Sequence, residues 1–463
     1  MKKICIIGSG LSGLSCAHYL QNHNLEIKIF EKNSTPGGRV NSECIDDYIC
    51  DIGFQVLLNN YDELKKMNVY KQLDMKYFNS GAEIYQKDKN LTLYNPIYHP
   101  IKALRSSFMQ IFSIRDIWNI LSLLLFNNHT NSTKKTGLYI DEFLSKKLRK
   151  LFIYPFFKGV FLSKNLENDL GFFTKLLKKF SFGRAGLPAK GMSGLPKAII
   201  KNANLNVNYN MNLQTIDGNS VTFDNGYTED FDKIILAIPL HEINKVTNLN
   251  IDLHYNSNTT CYFSSTKNIL GKSILLIPDE EFEINSIQCL SNVSPKYSNN
   301  DNSLYSVSTL KPNSSNEKLK KEFEMITGIQ QSDISIIKSY QIKYALPKKI
   351  EAIKNSQSIY FCGDWSQEPS IDGALKSGRL TAKEIILNYL NLNEAVNMKS
   401  NFKQSIIVLS IFILTSFNLV WASCDIDTEY ESGFMCYTCP DGTTGSGNPF
   451  NNMYVASCED CPA

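Results

Sequence analysis

Residues 4–13 read ICIIGSGLSG. The first four form an uninterrupted apolar run, which is typical of a buried parallel strand. The next six match the pattern G-x-G-x-x-G, and the apolar residues after them recur at helical spacing. Residues 27–31 read IKIFE and predict a second strand that ends in an acid. Strand, glycine turn, helix and strand in this order predict a βαβ unit with a parallel sheet.

The glycines and the acid of this unit indicate a dinucleotide site. Gly8 permits the tight turn, Gly10 lets the backbone approach a pyrophosphate, and Gly13 lets helix and strand pack closely. The N-terminus of the helix offers free N–H groups to the phosphates. Glu31 is placed to accept hydrogen bonds from ribose hydroxyls, which argues against a 2′-phosphate. The candidate residues here are Gly8, Gly10, Leu11, Ser12, Gly13, Glu31 and Lys32.

Composition limits the remaining classes of protein. The chain has 463 residues, which allows two or three domains, and 43% of them are hydrophobic, so wholesale disorder and a multi-span membrane protein are excluded. Lys and Arg number 48 against 45 acids, so no nucleic-acid partner is expected. Residues 1–392 show no zinc or Ser–His–Asp pattern, and we predict no metal there. The apolar strand follows Met1 almost at once, so we expect no N-terminal signal or transit peptide and a cytosolic main body.

Further motifs resemble those of a known family. Residues 35–40 read TPGGRV, 51–57 read DIGFQVL, 361–364 read FCGD, and 370–374 read SIDGA. With the βαβ unit, these segments are similar to the FAD-dependent amine oxidase superfamily, which includes phytoene desaturases and protoporphyrinogen oxidases. The resemblance covers about residues 1–392.

The resemblance implies further contacts with FAD. Gly37 and Gly38 would pass close to the cofactor, and Arg39 would face its pyrophosphate or flavin. Asp364 would bind the ribityl side, and the helix after it would direct its N-terminus at the flavin O2 edge, where negative charge develops. No cysteine lies between residues 363 and 374, so we expect non-covalent FAD. The residues implied in this way are Gly37, Gly38, Arg39, Gly53, Phe54, Gln55, Leu213 (at the adenine), Gly363, Asp364, Ile371, Asp372 and Ala374.

The fold class implied is α/β, a Rossmann-like FAD-binding domain with an inserted α+β substrate domain. A strand is predicted at 207–216, and another at 233–238 that returns to the nucleotide-binding sheet. The expected FAD-binding segments are 1–95, 191–245 and 351–392. The expected substrate-domain segments are 96–190, which is helical, and 246–350, which forms a sheet.

The implied function is that of an FAD-dependent oxidoreductase. It would take a hydride from a hydrophobic or amine substrate to flavin N5 and pass electrons to oxygen, a quinone or another acceptor. The motifs do not identify catalytic residues. Two alternatives stay open: a non-redox binding protein like the Rab GDP-dissociation inhibitors, which share this fold, and a flavoprotein whose FAD is structural.

A basic and aromatic stretch at 146–190 has two interpretations. It holds eleven Lys or Arg against two acids, with Phe and Tyr interleaved. It could rest on an anionic membrane, or its aromatic residues could pack in the core beneath a solvated basic face. We favour the second interpretation.

The C-terminal residues differ in their sequence pattern from residues 1–392. Residues 404–424 carry no charge and are long enough to cross a bilayer. They are either a tail anchor, which would attach a cytosolic enzyme to a membrane, or a signal peptide that opens a wrongly joined secreted protein at Met398. Residues 425–463 are Cys-rich. The pairs Cys436/Cys439 and Cys458/Cys461 match zinc-ribbon spacing, but an oxidising compartment would favour disulfides.

Overall fold

The computed structural model describes residues 1–126, 132–247, 249–348 and 353–389, and two short strands at 435–438 and 444–447. The chain divides into a large unit, Met1–Leu390, and a second unit, Asn391–Ala463. The hydrophobic helix predicted at 404–424 and the tail cysteines other than Cys436 lie outside the described residues. Within the described ranges, no helix is long and apolar enough to cross a membrane.

The strands are numbered in chain order. They are β1 (Lys2–Ile7), β2 (Leu25–Phe30), β3 (Ser42–Ile45), β4 (Tyr48–Asp51), β5 (Leu57–Leu58), β6 (Met75–Tyr77), β7 (Gly81–Ile84), β8 (Leu91–Tyr94), β9 (Ala185–Pro188), β10 (Val207–Asn208), β11 (Leu213–Asp217), β12 (Ser220–Phe223), β13 (Thr228–Asp230), β14 (Lys233–Leu236), β15 (Tyr255–Ser265), β16 (Ile274–Leu276), β17 (Ile284–Cys289), β18 (Ser303–Thr309), β19 (Ser335–Pro347), β20 (Ile359–Phe361), β21 (Met435–Thr438) and β22 (Thr444–Gly447).

The α-helices are numbered in the same way. They are α1 (Leu11–Leu20), α2 (Asp62–Lys66), α3 (Pro100–Arg105), α4 (Phe108–Ile111), α5 (Ile114–Leu125), α6 (Thr136–Phe143), α7 (Lys146–Leu148), α8 (Tyr154–Phe161), α9 (Leu170–Phe182), α10 (Gly194–Asn202), α11 (Leu240–Val246), α12 (Leu290–Val293), α13 (Asn316–Thr327) and α14 (371–389). A π-helical turn, Arg149–Ile153, joins α7 to α8.

A five-stranded parallel sheet forms the base of the large unit. Its order is β10-β2-β1-β14-β20. The central strand β1 is buried over Ile4–Ile7 and pairs with β2 on one side and with β14 on the other. The sheet confirms the predicted parallel α/β class and the predicted return of the strand at 233–238. Because β14 and β20 come from distant parts of the chain, the sheet brings the N-terminal, middle and C-terminal motifs to one edge.

A second, seven-stranded sheet has the order β19-β15-β18-β17-β16-β7-β8. Most of its neighbours are antiparallel, but β16 pairs with β7 in parallel. Residues 81–94 therefore pair in this sheet, although the sequence placed them in the first FAD-binding segment. The long-range pairing of β7 with Ile274–Leu276 attaches these residues to the sheet, and no local sequence pattern indicates it.

The helices α4–α9 and the π-helical turn share a core with the strands β7, β8 and β16. Phe157, Phe161 and Phe173 are almost fully buried in it. The aromatic residues of 146–190 other than Phe182, which is 49% exposed, therefore serve packing, as the favoured interpretation predicts.

Candidate cofactor site

A single cavity of about 830 Å³ runs from the edge of the parallel sheet to the helices α4–α9. All the predicted cofactor residues line this cavity except Gly13 and Asp372. The structure therefore brings together residues from positions 8 to 374 of the chain around one space.

The glycine turn between β1 and α1 is shaped in the way a phosphate site requires. Gly8 has φ +102°, a left-handed conformation that favours glycine. A Cβ placed on Gly10 would meet no atom within 4 Å, so the space above its Cα is open. A Cβ on Gly13 would lie 2.1 Å from the Gly8 carbonyl oxygen. Gly10 thus faces the cavity, whereas Gly13 maintains the contact between the helix and the turn.

The acid at the end of β2 is held by four hydrogen bonds. Glu31 is 4% exposed. One carboxylate oxygen accepts from the Ser9 N–H and from Ser9 Oγ, both at 2.8 Å, and the other accepts from the N–H and side-chain amide of Asn33. These donors fix the carboxylate beside the glycine turn, where a ribose would lie next to a bound pyrophosphate.

An ion pair joins the motif at residues 35–40 to the motif at residues 361–364. Arg39 Nη2 lies 2.6 Å from Asp364 Oδ1, and Arg39 Nη1 donates to the Ala345 carbonyl. Gln55 Nε2 in turn donates to the Arg39 carbonyl, while Gln55 Oε1 is buried without a partner in the described structure. The sequence singled out Arg39, Gln55 and Asp364 separately but gave no signal that they meet.

The helix α14 begins at the cavity and packs against α1. Ile371 and Ala374 line the cavity at its first turn. The carboxylate of Asp372 instead accepts a hydrogen bond from the Glu63 N–H, and burial raises the pKa of Asp372. A Cβ on Gly378 would lie 2.1 Å from the Ser12 carbonyl oxygen, so glycine permits the close approach of α14 to α1.

The cavity changes character along its length. Among the described residues that line it, the charged ones are Glu31, Lys32, Arg39, Glu242 and Asp364. We call the end of the cavity next to the sequence motifs the motif end. Four of these charged residues belong to the motifs, and Glu242 joins them because its Oε1 lies 3.3 Å from Lys32 Nζ. Sequence reasoning missed Glu242, because an acid on a short helix carries no motif.

The other end of the cavity is an apolar chamber. Phe108 and Phe112 stack with ring centroids 4.2 Å apart, and Phe156 packs edge-on against Phe180 at 5.0 Å. The facing sheet contributes the neutral polar residues Asn258, Ser286 and Ser308. The chamber was not predicted, because its lining combines helices and strands that are distant in the sequence.

These observations fit a bound dinucleotide. Open space above Gly10, the oriented carboxylate of Glu31 and the N-terminus of α1 lie together at one edge of the sheet. No cluster of three or more metal-ligating side chains occurs in the described part of the chain.

Comparisons with known proteins agree with this geometry. A family model described as flavin containing amine oxidoreductase matches residues 11–327. Protoporphyrinogen oxidase of Dictyostelium discoideum is 25% identical over 266 residues, which are 50% of this chain and 47% of that protein. A 1-hydroxycarotenoid 3,4-desaturase of Flavobacterium sp. (strain P99-3) is 34% identical over 149 residues, 32% of this chain and 30% of that protein.

The chain spans less than half the length of the curated relatives it matches. An oxidoreductase from Methanosarcina mazei shares the fold, with a TM-score of 0.64 at 14% identity over 82% of this chain and 100% of that chain. The family match covers more than half of the chain and includes Glu31 and Arg39 of the cavity lining, whereas Gly10 and Asp364 lie outside the matched residues. This chain therefore belongs to the family of flavin-containing amine oxidoreductases, and its cofactor is FAD.

Proposed function

We propose that this chain is an FAD-dependent oxidoreductase that oxidises an apolar, uncharged substrate. The observation that carries the proposal is the distribution of charge along the cavity. All five charged residues of its described lining lie at the motif end, and the chamber beyond them is apolar.

The chamber favours substrates without charge. Burying apolar surface contributes about 25 cal/mol per Å², and the aromatic walls offer a large area of this kind. An ammonium or a carboxylate group in the chamber would lose its hydration without gaining an ionic partner from the described lining. Between the two substrate classes suggested by the sequence, the chamber therefore supports a hydrophobic one over an amine.

The protein residues would position and shield the reactants. We propose that the motif end, including Gly10, Glu31, Arg39 and Asp364, binds FAD, which accepts a hydride at N5 when it is bound. The aromatic chamber would exclude water and hold the substrate chain. Asn258 and Ser308 would hydrogen-bond a neutral polar group of the substrate where it has one.

We also propose that FAD is bound without a covalent link. Cys362 is the one cysteine in the described lining, and burial raises the pKa of its thiol to about 12. A thiol that stays protonated is a poor nucleophile.

Anaerobic reduction of the FAD-loaded full chain tests the substrate class. We expect a neutral isoprenoid polyene to bleach the flavin absorbance, and an alkyl diamine or a carboxylated porphyrinogen to leave it unchanged. Leu124→Glu would place a charge in the chamber and should slow reduction by the polyene about tenfold or more, whereas Leu124→Met should not. Both variants should retain FAD. Reduction by the diamine alone would refute the proposal.

The same assay separates the alternatives. Bound FAD that none of the three donors reduces would favour structural FAD, and a folded chain that does not bind FAD would favour a non-redox binding protein. The final electron acceptor, oxygen, a quinone or another oxidant, is identified by which of them restores the absorbance of the reduced enzyme.

A further inference from the structure

The helix α5 has apolar residues on two opposite faces. Ile117, Ile120 and Leu124 point inward and line the cavity. Ile114, Trp118, Leu121 and Leu125 recur at spacings of four, three and four and are 82%, 72%, 39% and 65% exposed. A helix on the surface of a water-soluble domain normally presents polar residues outward.

The neighbouring short helices extend this outer apolar surface. Ile101 and Leu104 of α3 are 65% and 70% exposed, and Met109 of α4 is 55% exposed. We call the exposed side chains Ile101, Leu104, Met109, Ile114, Trp118 and Leu125 the apolar mouth. The name reflects their nearness along the chain to Ile97 and Leu121, which line the cavity and remain 48% and 39% exposed.

The exposed charges that residues 97–126 themselves carry have one sign. Lys102, Arg105 and Arg115 are exposed. The one acid of residues 97–126, Asp116, is fully buried and is engaged by Ser113 and Ser145. Exposed cations beside an apolar surface that includes Trp are typical of a segment that lies in the interface of an anionic bilayer.

We propose that the apolar mouth inserts into the surface of an anionic lipid bilayer and that the cavity opens into that bilayer. The outer side chains would enter the boundary between headgroups and acyl chains, and the three cations would contact anionic headgroups. A lipophilic molecule would then pass from the membrane into the chamber without crossing water. A second copy of the chain fits this surface less well, because the same cations would face each other across the contact.

The proposed surface is not the stretch 146–190, which was one interpretation of the sequence. The aromatic residues of that stretch other than Phe182 lie in or pack against the hydrophobic cores. The proposed surface belongs to residues 101–125, and the described part of the chain has no membrane-spanning helix. Attachment through the apolar mouth would therefore be peripheral.

Vesicle binding tests the proposal on the FAD-loaded full chain without measuring turnover, so its outcome is independent of the proposed redox function. Each protein carries Trp421→Phe, because Trp421 lies in the possible anchor. Trp118 is then the exposed tryptophan, since Trp365 is 2% exposed. Flotation is compared on phosphatidylcholine alone and on phosphatidylcholine mixed with phosphatidylglycerol, and lipids brominated in their acyl chains report insertion of Trp118 by quenching.

We expect binding to the anionic vesicles and quenching of Trp118. Ile114→Ser with Leu125→Ser should weaken the binding about tenfold or more, because two large apolar side chains no longer enter the lipid. The matched control, Met325→Ser with Leu387→Ser, removes two side chains that are 59% and 48% exposed outside the apolar mouth and should bind normally. Lys102→Gln with Arg105→Gln should reduce the preference for phosphatidylglycerol.

Three results would overturn the proposal. The first is no binding to either vesicle. The second is binding that the Ile114/Leu125 variant retains in full or that leaves Trp118 unquenched, which would assign binding to another segment. The third is a concentration-dependent dimer in sedimentation that the same variant abolishes, which would assign the surface to self-association. Equal thermal midpoints and FAD content confirm that the variants are folded.

Discussion

Two glycines three residues apart should respond in opposite ways to the same substitution. Gly10 is the N-cap of α1, in the turn that follows β1, and Gly13 lies in the first turn of α1. A Cβ on Gly10 meets no atom within 4 Å, and its φ of −68° is accessible to alanine. A Cβ on Gly13 would lie 2.1 Å from a backbone oxygen and 3.1 Å from Ala237 Cβ. We therefore expect Gly10→Ala to impair FAD binding and Gly13→Ala to impair folding.

The magnitudes follow from these distances. Gly10→Ala removes a favourable N-cap residue of α1, which costs about 0.5–1 kcal/mol of the apoprotein's unfolding free energy. With FAD bound, the added methyl would occupy space next to the pyrophosphate, and overpacking of about 1–3 kcal/mol corresponds to about a fivefold to 150-fold loss of affinity. Gly13→Ala forces the turn and α1 apart and should lower the unfolding free energy by about 3 kcal/mol or more.

The assay pairs two measurements on each apoprotein. Titration with FAD, followed by quenching of flavin fluorescence, gives the dissociation constant, and urea unfolding gives the stability. Gly271→Ala, at an exposed position away from the cavity where a Cβ meets no atom within 4 Å and φ is not left-handed, controls for the general effect of adding a methyl group to a glycine. If Gly10→Ala bound FAD with the affinity of the unsubstituted chain, the pyrophosphate would not pass over Gly10, and the assignment of the motif end would be refuted.

Three further predictions concern buried carboxylates. Asp364→Ala removes the anion 2.6 Å from Arg39 Nη2 and should weaken FAD binding about tenfold; an unchanged dissociation constant would contradict the proposed ribityl contact. Burial raises the pKa of Asp51 to about 6, although three hydrogen bonds act to lower it. The contribution of Asp51 to stability is therefore complete below about pH 4 and is lost as the pH rises through about 6. Asp51→Asn should remove about 3 kcal/mol of the pH dependence of the unfolding free energy. Urea unfolding at a series of pH values measures this dependence, and its persistence in the variant would contradict the prediction. Arg379→Gln withdraws two hydrogen bonds from Glu63, whose side chain is 3% exposed, and should lower the unfolding free energy by about 2–3 kcal/mol; an unshifted midpoint would show that Lys66 alone satisfies this carboxylate.

Local signals in the sequence were sufficient for the cofactor half of the fold. The apolar run, the glycine spacing and the acid after β2 each depend on neighbours in the chain, and the parallel register of Ile4 with Ile27 confirms the βαβ unit. The predicted strand at 207–216 was wrong in one respect. Asn210 adopts a left-handed φ of 57°, and the chain leaves the parallel sheet after β10 and starts an antiparallel one at β11.

The rest of the site depends on contacts between distant residues. Arg39 and Asp364 are separated by 325 positions, and Lys32 meets Glu242 across 210. The pairing of β7 with β16 and the apolar chamber likewise arise from packing between segments with no shared pattern. The sequence predicted that residues 96–190 are helical, which is wrong for the strand β9 at Ala185–Pro188. It also did not show which helical faces line the cavity and which remain exposed.

The placement of charge separates two functions within one cavity. The edge of the parallel sheet, together with the loops and the helix α11 next to it, presents the glycine turn and all five charged lining residues, which suits a large, anionic cofactor. The helical block presents aromatic and aliphatic side chains inward, and through α5 it presents them outward as well. Changes confined to α3–α9 would therefore alter which molecule reaches the flavin, and from which phase, while leaving the cofactor contacts in place. Kinship with the family accordingly specifies the cofactor of this chain more closely than its substrate.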